Sequence, residues 1–288
     1  MAAKEGVCMQ RQSSAVRERR AGDSRVGGSC GLAHGSDWPL ARRGRALVGV
    51  GPYEVVRVLG SGAFAHTFEA RHAILGTTAC LKVGRLRRHN GLLVREARVL
   101  WDLHHPSIPS LREIFLLPDG CVAIAMRFVE GASLQALSPL DIPTAIRVLD
   151  RLLRVLRMIH QRGIVHNDVK PANIIVEPDR QGVVLVDFGL CQSVLSRDPR
   201  AHGMTPAYAA PEVVAGHAPQ PTSDLYSLGL SILSALGGDV HRKMPPRGAP
   251  ECLLSLLRGL THREPSQRLR WEGDDPLRRL EDVRSKLA

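Results

Sequence analysis

Three polar residues, spread over two short segments, constrain this chain more than any other feature of its sequence. Asp168 and Asn173 stand five residues apart in IVHNDVKPANII, and Asp187 follows in VVLVDFGL. Transfer of a phosphoryl group from ATP needs one carboxylate to accept the proton of the attacking hydroxyl. It also needs a second carboxylate and an amide to hold magnesium against the phosphates. The residue types and the spacing of the trio fit both requirements.

Three further motifs precede the trio in the order that this chemistry requires. A glycine turn lies in LGSGAFAHTF at 59–68, a lysine in TACLKV at 78–83, and a glutamate in REARVLWDLHHPSI at 95–108. One such motif alone is weak evidence, because Gly-x-Gly turns are common. Five motifs in the correct order are specific. From about Tyr53 to the C-terminus, the chain resembles a eukaryotic-type serine/threonine protein kinase.

The resemblance implies an α+β fold of two lobes. The N-lobe is expected to be small and β-rich with one regulatory helix, and the C-lobe larger and mainly helical. We expect the kinase domain over 51–288, divided near residue 130. Residues 1–50 mix Arg, Gly, Ser and Ala without periodicity, which predicts a disordered basic tail.

The spacing of apolar residues within short segments agrees with a β-rich N-lobe and a helical C-lobe. YEVVRVLG alternates as a strand that enters the glycine turn, and HTFEARH follows as the returning strand. Two apolar stripes at helical spacing predict one helix in each lobe. The first stripe consists of Leu93, Ala97, Leu100 and Leu103, and the second of Ile146, Leu149, Leu153, Leu156 and Ile159, ending at Gly163.

Composition excludes several other classes of protein. The 288 residues, 44% of them apolar, suffice for the core of one two-lobed domain. The six cysteines show no metal-ligand or disulfide spacing, so reduced thiols and a cytoplasmic location are expected. The most apolar stretch, Leu225 to Gly238, is too short to span a bilayer, and arginines interrupt every candidate signal sequence. The net charge of +11 is spread along the chain, so nucleic-acid binding is not expected.

The resemblance implies specific residues for ATP. The glycine turn is expected to cover the phosphates, although Ala65 replaces the third glycine of the family pattern. Thr67 and Cys80 replace a valine and an alanine above the adenine, which makes the pocket slightly more polar. The expected nucleotide-binding residues are Gly60, Ser61, Gly62, Ala63, Phe64, Thr67, Cys80, Lys82, Met126, Phe128 and Ile175.

The resemblance also implies the catalytic roles. Lys82 is expected to contact the α and β phosphates, oriented by an ion pair with Glu96. Asp168 is expected to accept the hydroxyl proton and Lys170 to neutralise the transferred phosphate. Asn173 and Asp187 are the expected ligands of Mg²⁺.

Other matched positions have implied structural roles. Thr205 is expected to contact Asp168 and Lys170, Glu212 to pair with Arg268, and Asp224 to brace the catalytic loop. Asn167 departs from the family pattern, in which an arginine at this position pairs with a phosphorylated activation segment. Asparagine carries no positive charge that could form an ion pair with a phosphate.

These residues predict a kinase that transfers the γ-phosphoryl of Mg-ATP to serine or threonine hydroxyls of a protein substrate. One alternative is a pseudokinase that serves as a nucleotide-binding scaffold, which the substitutions at Ala65 and Asn167 would fit. Against it, each of the expected catalytic and metal-binding residues is present. A second alternative is a small-molecule phosphotransferase, and the segment Ala210–Glu212 argues against it. A third, nucleic-acid binding through the arginine-rich tail, could coexist with kinase activity, and salt-dependent binding that vanishes on deleting residues 1–50 would identify it.

Overall fold

The computed structural model describes residues 49–177, 182–194 and 203–287. The predicted tail, residues 1–50, lies outside these ranges except for its last two residues. Gly49–Val50 form strand β1, which pairs with residues 53 and 54, and Val50 is buried. Ordered structure therefore includes the last two residues assigned to the tail.

The N-lobe contains an antiparallel sheet with the strand order β1-β2-β3-β4-β6-β5. Its remaining strands are β2 (Tyr53–Ser61), β3 (Ala65–His72), β4 (Thr78–Gly84), β5 (Leu111–Leu116) and β6 (Val122–Arg127). The predicted turn between β2 and β3 is closed by a bond from the Gly62 N–H to the Ala65 carbonyl, 2.9 Å long. The glycine turn thus joins β2 to β3, and β3 pairs with β4 on its other side.

Helix α1 (Asn90–Asp102) is the expected helix of the N-lobe. Leu93, Ala97 and Leu100 lie on its buried face, and Glu96 is buried beside them. Leu103, the last residue of the predicted stripe, follows the helix and is also buried. The apolar stripe fixes α1 on the lobe and turns Glu96 inward.

The chain passes from β6 to the C-lobe through residues 128–133. Gly131 has a φ of 144°, a conformation that favours glycine, and a side chain there would meet the Val176 carbonyl. This close approach explains the break that the sequence pattern predicts at Gly131.

The C-lobe is mainly helical. Its helices are α2 (Leu134–Leu137), α3 (Ile142–Gln161), α4 (Pro211–Val214), α5 (Pro221–Ala235), α6 (Glu251–Leu260) and α7 (Pro276–Leu287). Asp141 caps α3 by accepting a bond from the Thr144 N–H, and all five apolar residues of the predicted stripe are buried. Helix α5 is buried along most of its length, and no described helix could cross a bilayer.

Short strands in the C-lobe hold the segments that carry the chemistry. They are β7 (Ala132–Ser133), β8 (Ile164–Val165), β9 (Ile174–Glu177), β10 (Gly182–Leu185) and β11 (Gln192–Ser193). Strand β8 precedes the Asp168 segment, while β10 and β11 flank the Asp187 segment. The fold is thus the expected α+β arrangement of a sheet-based and a helical lobe.

Candidate active site

A cleft of about 530 Å³ lies where the two lobes meet. Its walls come from β2, β3 and β4, from the lobe connection, and from the Asn173 and Asp187 segments. The lining residues are Arg57, Leu59, Gly60, Thr67, Cys80, Lys82, Glu96, Pro109, Met126, Arg127, Phe128, Val129, Gly131, Ser133, Ala172, Asn173, Ile175, Val186 and Asp187.

Lys82 joins the two lobes inside this cleft. Its Nζ atom lies 2.6 Å from Glu96 Oε2 on α1 and 2.6 Å from Asp187 Oδ1. Burial lowers the pKa of Lys82, but the two carboxylates outweigh it and raise the pKa overall. Lys82 is therefore a fixed cation on the cleft wall.

The two carboxylates that bind Lys82 differ in exposure. The Glu96 side chain is 1% exposed, whereas that of Asp187 is 43% exposed. Burial raises the pKa of Glu96, and the ammonium of Lys82 opposes this effect. For Asp187, burial also acts to raise the pKa, but Lys82 lowers it to about 2. Asp187 is thus the ionised carboxylate that faces the cleft.

The backbone around Asp187 permits this arrangement. Asp187 itself has a φ of 67°, in the left-handed region. A side chain at Gly189 would come within 3.2 Å of Lys82 Nζ and 3.3 Å of Glu96 Oε2. Glycine at this position therefore leaves room for the ion pairs of Lys82 with Glu96 and Asp187.

Asp168 is the centre of a second polar cluster, and both of its carboxylate oxygens accept hydrogen bonds. Thr205 Oγ1 donates to Oδ1 over 2.7 Å, and Lys170 Nζ donates to Oδ2 over 2.6 Å. Asn173 Nδ2 donates to the same Oδ2 and to the Asp168 carbonyl, at 2.9 Å each. Lys170 also donates to Thr205 Oγ1, over 2.9 Å. The predicted proton acceptor, lysine and amide thus form one network.

Asp224 on α5 fixes the backbone just before Asp168. Its Oδ2 accepts the N–H of His166 and its Oδ1 accepts the N–H of Asn167, both over 2.8 Å. Asn167 has a φ of 65°, a strained conformation for a residue other than glycine. The His166 ring packs edge-on against Phe188, with centroids 4.7 Å apart. The buried Asp224 carboxylate thus holds a strained turn in place.

The Asn167 side chain contacts both ends of the segment that follows Asp187. Its Nδ2 atom donates to the Gly203 carbonyl over 3.2 Å, and lies 3.5 Å from the Leu190 carbonyl. An arginine at this position would offer a charge to a phosphate, whereas the amide binds the segment backbone directly. Residues 195–202 lie outside the described ranges.

Glu212 and Arg268 form a bidentate ion pair, with both N–O distances 2.7 Å. The Arg268 side chain is fully buried, and it also donates to the carbonyls of residues 222, 262 and 263. Burial raises the pKa of Glu212, but hydrogen bonds from Arg268 and Ser223 outweigh burial and lower it. The pair ties the segment after Thr205 to the C-terminal part of the lobe.

The structure separates the predicted nucleotide-binding residues into two groups. Gly60, Thr67, Cys80, Lys82, Met126, Phe128 and Ile175 line the cleft. Residues 61–64 lie in the glycine turn beyond the lining, where the Phe64 ring packs on that of His89 at 5.4 Å. For residues 61–64, contact with phosphates stays a prediction.

Sequence reasoning did not single out Leu59 and Val186, which line the cleft as well. Each immediately precedes a motif residue, Gly60 and Asp187 respectively. Adjacency to a motif is the only signal that the sequence offered for these two residues, because alternation along a strand would place such a neighbour on the opposite face.

The donor set of the cleft fits a hard divalent cation. Because Asn173 uses its Nδ2 to bind Asp168, its amide oxygen is the atom left to ligate a cation. Among the described residues, no group of three or more His, Cys, Asp and Glu could hold a metal ion. A magnesium site of one or two carboxylates completed by substrate phosphates does not need such a group.

Comparison with known proteins agrees with this geometry. The family model for the protein kinase domain matches residues 53–272. The serine/threonine-protein kinase D of Synechocystis is 33% identical over 205 residues, 64% of this chain and 40% of that protein. PknJ of Mycobacterium tuberculosis is 32% identical over 227 residues, 74% of this chain and 38% of that protein.

A third relative, the serine/threonine-protein kinase Pkn1 of Myxococcus xanthus, is 33% identical over 233 residues, 75% of this chain and 33% of that protein. The chain therefore spans two fifths or less of the length of these relatives. The family match covers most of this chain, including the cleft, the Asp168 network and the Glu212–Arg268 pair. On this evidence, the chain belongs to the protein kinase domain family, among the eukaryotic-type serine/threonine kinases.

Proposed function

We propose that this protein transfers the γ-phosphoryl group of Mg-ATP to serine or threonine hydroxyls of protein substrates. The observation that carries the proposal is the Thr205 hydroxyl, which donates to Asp168 Oδ1 and accepts from Lys170 Nζ. A hydroxyl thus already lies between a carboxylate and an ammonium group, the two partners that an acceptor hydroxyl needs.

In the proposed mechanism, Asp168 accepts the proton of the substrate hydroxyl while the hydroxyl oxygen attacks the γ-phosphorus. The bond between the γ-phosphorus and the bridging oxygen breaks, and ADP leaves with that oxygen. Lys170 neutralises charge on the transferred phosphoryl group, and Lys82 does so at the α and β phosphates. Glu96 keeps Lys82 oriented. The contacts described above support these roles of Asp168, Lys170, Lys82 and Glu96.

Asn173 and Asp187 are the residues that would hold Mg²⁺. When bound, this ion would neutralise charge on the β and γ phosphates. Asp187 suits the role because it is ionised and faces the cleft, and because Lys82 engages only one of its two oxygens.

The serine/threonine class of acceptor is proposed from Lys170, which lies two residues after Asp168 as in that branch of the family. The relatives named above are all serine/threonine-protein kinases, which agrees. A role as a nucleotide-binding scaffold without catalysis is less well supported, because Lys82, Asp168 and Asp187 are all engaged in the contacts that transfer requires. A cytoplasmic location and the lack of nucleic-acid binding stay predictions from composition.

The test is incubation of the protein with γ-labelled ATP and a generic basic protein, followed by analysis of the labelled amino acids. We expect phosphoserine and phosphothreonine. Asp168→Asn should lower the rate by at least about a hundredfold, because loss of a general base typically costs that much.

The matched control is Asp102→Asn, at the exposed end of α1. This variant should transfer label at the parent rate. Labelling of phosphotyrosine alone, or Asp168→Asn transfer equal to that of the parent, would refute the proposal.

A further inference from the structure

A line of hydrogen bonds reaches the catalytic loop from Trp271, and it is buried from His160 onward. Trp271 Nε1 donates to His160 Nδ1 over 2.9 Å. His160 Nε2 lies 2.8 Å from Asp224 Oδ2, and the two side chains are 2% and 0% exposed. Asp224 in turn binds the N–H groups of residues 166 and 167. Three side chains thus connect residue 271 to the backbone before Asp168.

The chemistry of the indole group fixes the direction of this line. An indole N–H can only donate, so His160 Nδ1 must be the acceptor and carry no proton. The proton of the neutral imidazole is then on Nε2, where it donates to Asp224. With a proton on Nδ1, two N–H donors would face each other. Asp224, whose two oxygens accept the N–H groups of residues 166 and 167, requires the same tautomer, so Trp271 and Asp224 hold the His160 ring from its two nitrogens.

Trp271 is itself held on more than one side. Its ring packs at 6.0 Å from that of His160, and the Arg157 guanidinium lies 5.9 Å from the centre of the indole. Arg157 is fixed by Asp275 over 3.3 Å. Three residues before Trp271, Arg268 pairs with Glu212. One short segment thus contacts the Glu212 region and, through His160, the catalytic loop.

We propose that Trp271 is a positioning residue for the catalytic loop, acting through His160 on Asp224; this rests on the kinase function proposed above. Asp224 holds Asn167 in a strained left-handed conformation. Without the indole N–H, the His160 ring is held at Nε2 alone and can rotate about its side-chain bonds. Rotation would weaken the bond from Nε2 to Asp224 Oδ2, and Asp224 would then hold the backbone of the catalytic loop less firmly.

The main test is Trp271→Phe, which removes the N–H and keeps an aromatic ring. Trp101→Phe on the exposed face of α1 is the matched control, since Trp101 is 68% exposed and far from this line in sequence. Backbone hydrogen exchange reports directly on the two amides that Asp224 binds. Exchange at residues 166 and 167 should be about tenfold faster in Trp271→Phe, as for loss of one buried hydrogen bond, and unchanged in Trp101→Phe.

The tautomer has its own spectroscopic readout. In ¹⁵N spectra of the parent protein, His160 should show an unprotonated Nδ1 and a protonated Nε2, with its signals assigned by their loss in His160→Gln. In Trp271→Phe the Nδ1 signal should shift, because this nitrogen loses the indole donor, while Nε2 stays protonated toward Asp224. A protonated Nδ1 in the parent would overturn the proposal.

Steady-state kinetics distinguish an effect on the position of the catalytic loop from a general loss of folded structure. Trp271→Phe should lower kcat by about fivefold to tenfold and leave the KM for ATP unchanged, because Trp271 does not line the cleft. His160→Gln should keep most activity, since a glutamine amide can accept from Trp271 and donate to Asp224. His160→Leu breaks both bonds, and adding Trp271→Phe to it should cost nothing further.

Several outcomes would overturn the proposal. These are unchanged exchange at residues 166 and 167, an effect of Trp271→Phe that is as large in the His160→Leu variant as in the parent, or an equal loss in Trp101→Phe. If the parent transfers no phosphate, the kinase proposal fails, while hydrogen exchange and the ¹⁵N spectra still decide the role of Trp271.

Discussion

Lys82 lies between two carboxylates that serve different purposes. Glu96 is buried and contacts Lys82 from α1, whereas Asp187 is open to the cleft. The first can only orient the lysine, and the second can also bind a cation. The unequal exposure of the two carboxylates therefore decides their proposed roles.

Replacing either member of the Lys82–Glu96 pair should reduce transfer. Lys82→Met removes the cation at the phosphates, and we expect a loss of at least about a hundredfold in kcat/KM. Glu96→Gln should lower activity by a smaller factor, because the lysine keeps its bond to Asp187. Steady-state kinetics with a fixed protein substrate would measure both.

Glu113→Gln is the matched control for Glu96→Gln. Glu113 lies on β5, where burial and the charge of Glu113 raise the pKa of the nearby Tyr53. The carboxylates that bind Lys82 are those of Glu96 and Asp187. If Glu96→Gln were fully active while Lys82→Met was inactive, the assigned ion pair would be wrong.

Cys80 offers a chemical test of the adenine side of the cleft. Burial, reinforced by Glu96 and Asp187 against the opposing charge of Lys82, raises the pKa of Cys80 to about 12. The thiolate is the reactive form, so alkylation should be slow and should accelerate from pH 7 to pH 10 without reaching a plateau. Mg-ATP should slow it further, because Cys80 lines the cleft.

Mass spectrometry of a digest would measure the labelling, with Cys252 on α6 as the internal control. Labelling of Cys80 that is indifferent to nucleotide would place this residue outside the nucleotide site.

At the scale of elements, side chains of the catalytic loop bind Gly203 and Thr205, which follow the segment after Asp187. Asn167 binds the Gly203 carbonyl, and Thr205 binds both Asp168 and Lys170. These contacts attach the C-terminal end of the segment to the catalytic loop, beside the proposed site of the acceptor hydroxyl. A neutral amide thus takes the place of the charged tether expected from the family pattern.

Phosphorylation of this segment should therefore be dispensable. Ser193 and Ser196 are its only hydroxyls between Leu190 and Met204, and Ser196 lies outside the described residues. The double variant Ser193→Ala, Ser196→Ala should keep activity within about threefold of the parent. A threefold change in rate corresponds to less than about 1 kcal/mol in the height of the activation barrier. Phosphatase treatment of the parent should also change little.

Asn167→Gly is the informative contrast, since glycine accepts the positive φ but lacks the amide. It should lose more activity than the double alanine variant. A hundredfold loss in the double alanine variant, roughly 2.7 kcal/mol, would show that activation needs the phosphate after all.

At the scale of the whole molecule, the sequence predicted the features with a local signal. The two apolar stripes indicated α1 and α3 because their spacing matches a helical period. The motif order predicted that Lys82 and Glu96 would meet, and the structure brings them together. The fold class is confirmed by the family match and by the two lobes.

Contacts without a local pattern escaped sequence reasoning. Trp271 and His160 are 111 residues apart, and nothing near either residue indicates a partner. The contact of the Asn167 amide with Gly203 depends on a left-handed backbone at residue 167, which the sequence does not reveal. Such contacts arise from the packing of distant segments.

The Glu212–Arg268 pair should make stability depend on pH. The pKa of Glu212 is lowered in the folded protein, so the pair stabilises the fold above the ordinary glutamate pKa of 4.5, and this contribution is lost as the pH falls through and below that value. Glu212→Gln should lower the free energy of unfolding by about 3 kcal/mol at pH 7. Denaturant unfolding at several pH values would show the difference from the parent shrinking below pH 4.5.

Glu251→Gln, on the exposed start of α6, is the control and should change stability by less than about 1 kcal/mol. A difference between the parent and Glu212→Gln that did not change with pH would contradict the assigned ion pair.

The central claim is phosphoryl transfer that depends on a cation held by Asp187, and the most direct measurement is a magnesium titration of Asp187→Asn. The amide cannot replace the carboxylate charge at the metal, so transfer should be abolished across the titration while circular dichroism still shows a folded protein. Unchanged turnover with the magnesium dependence of the parent would contradict the assignment of this cleft as a kinase active site.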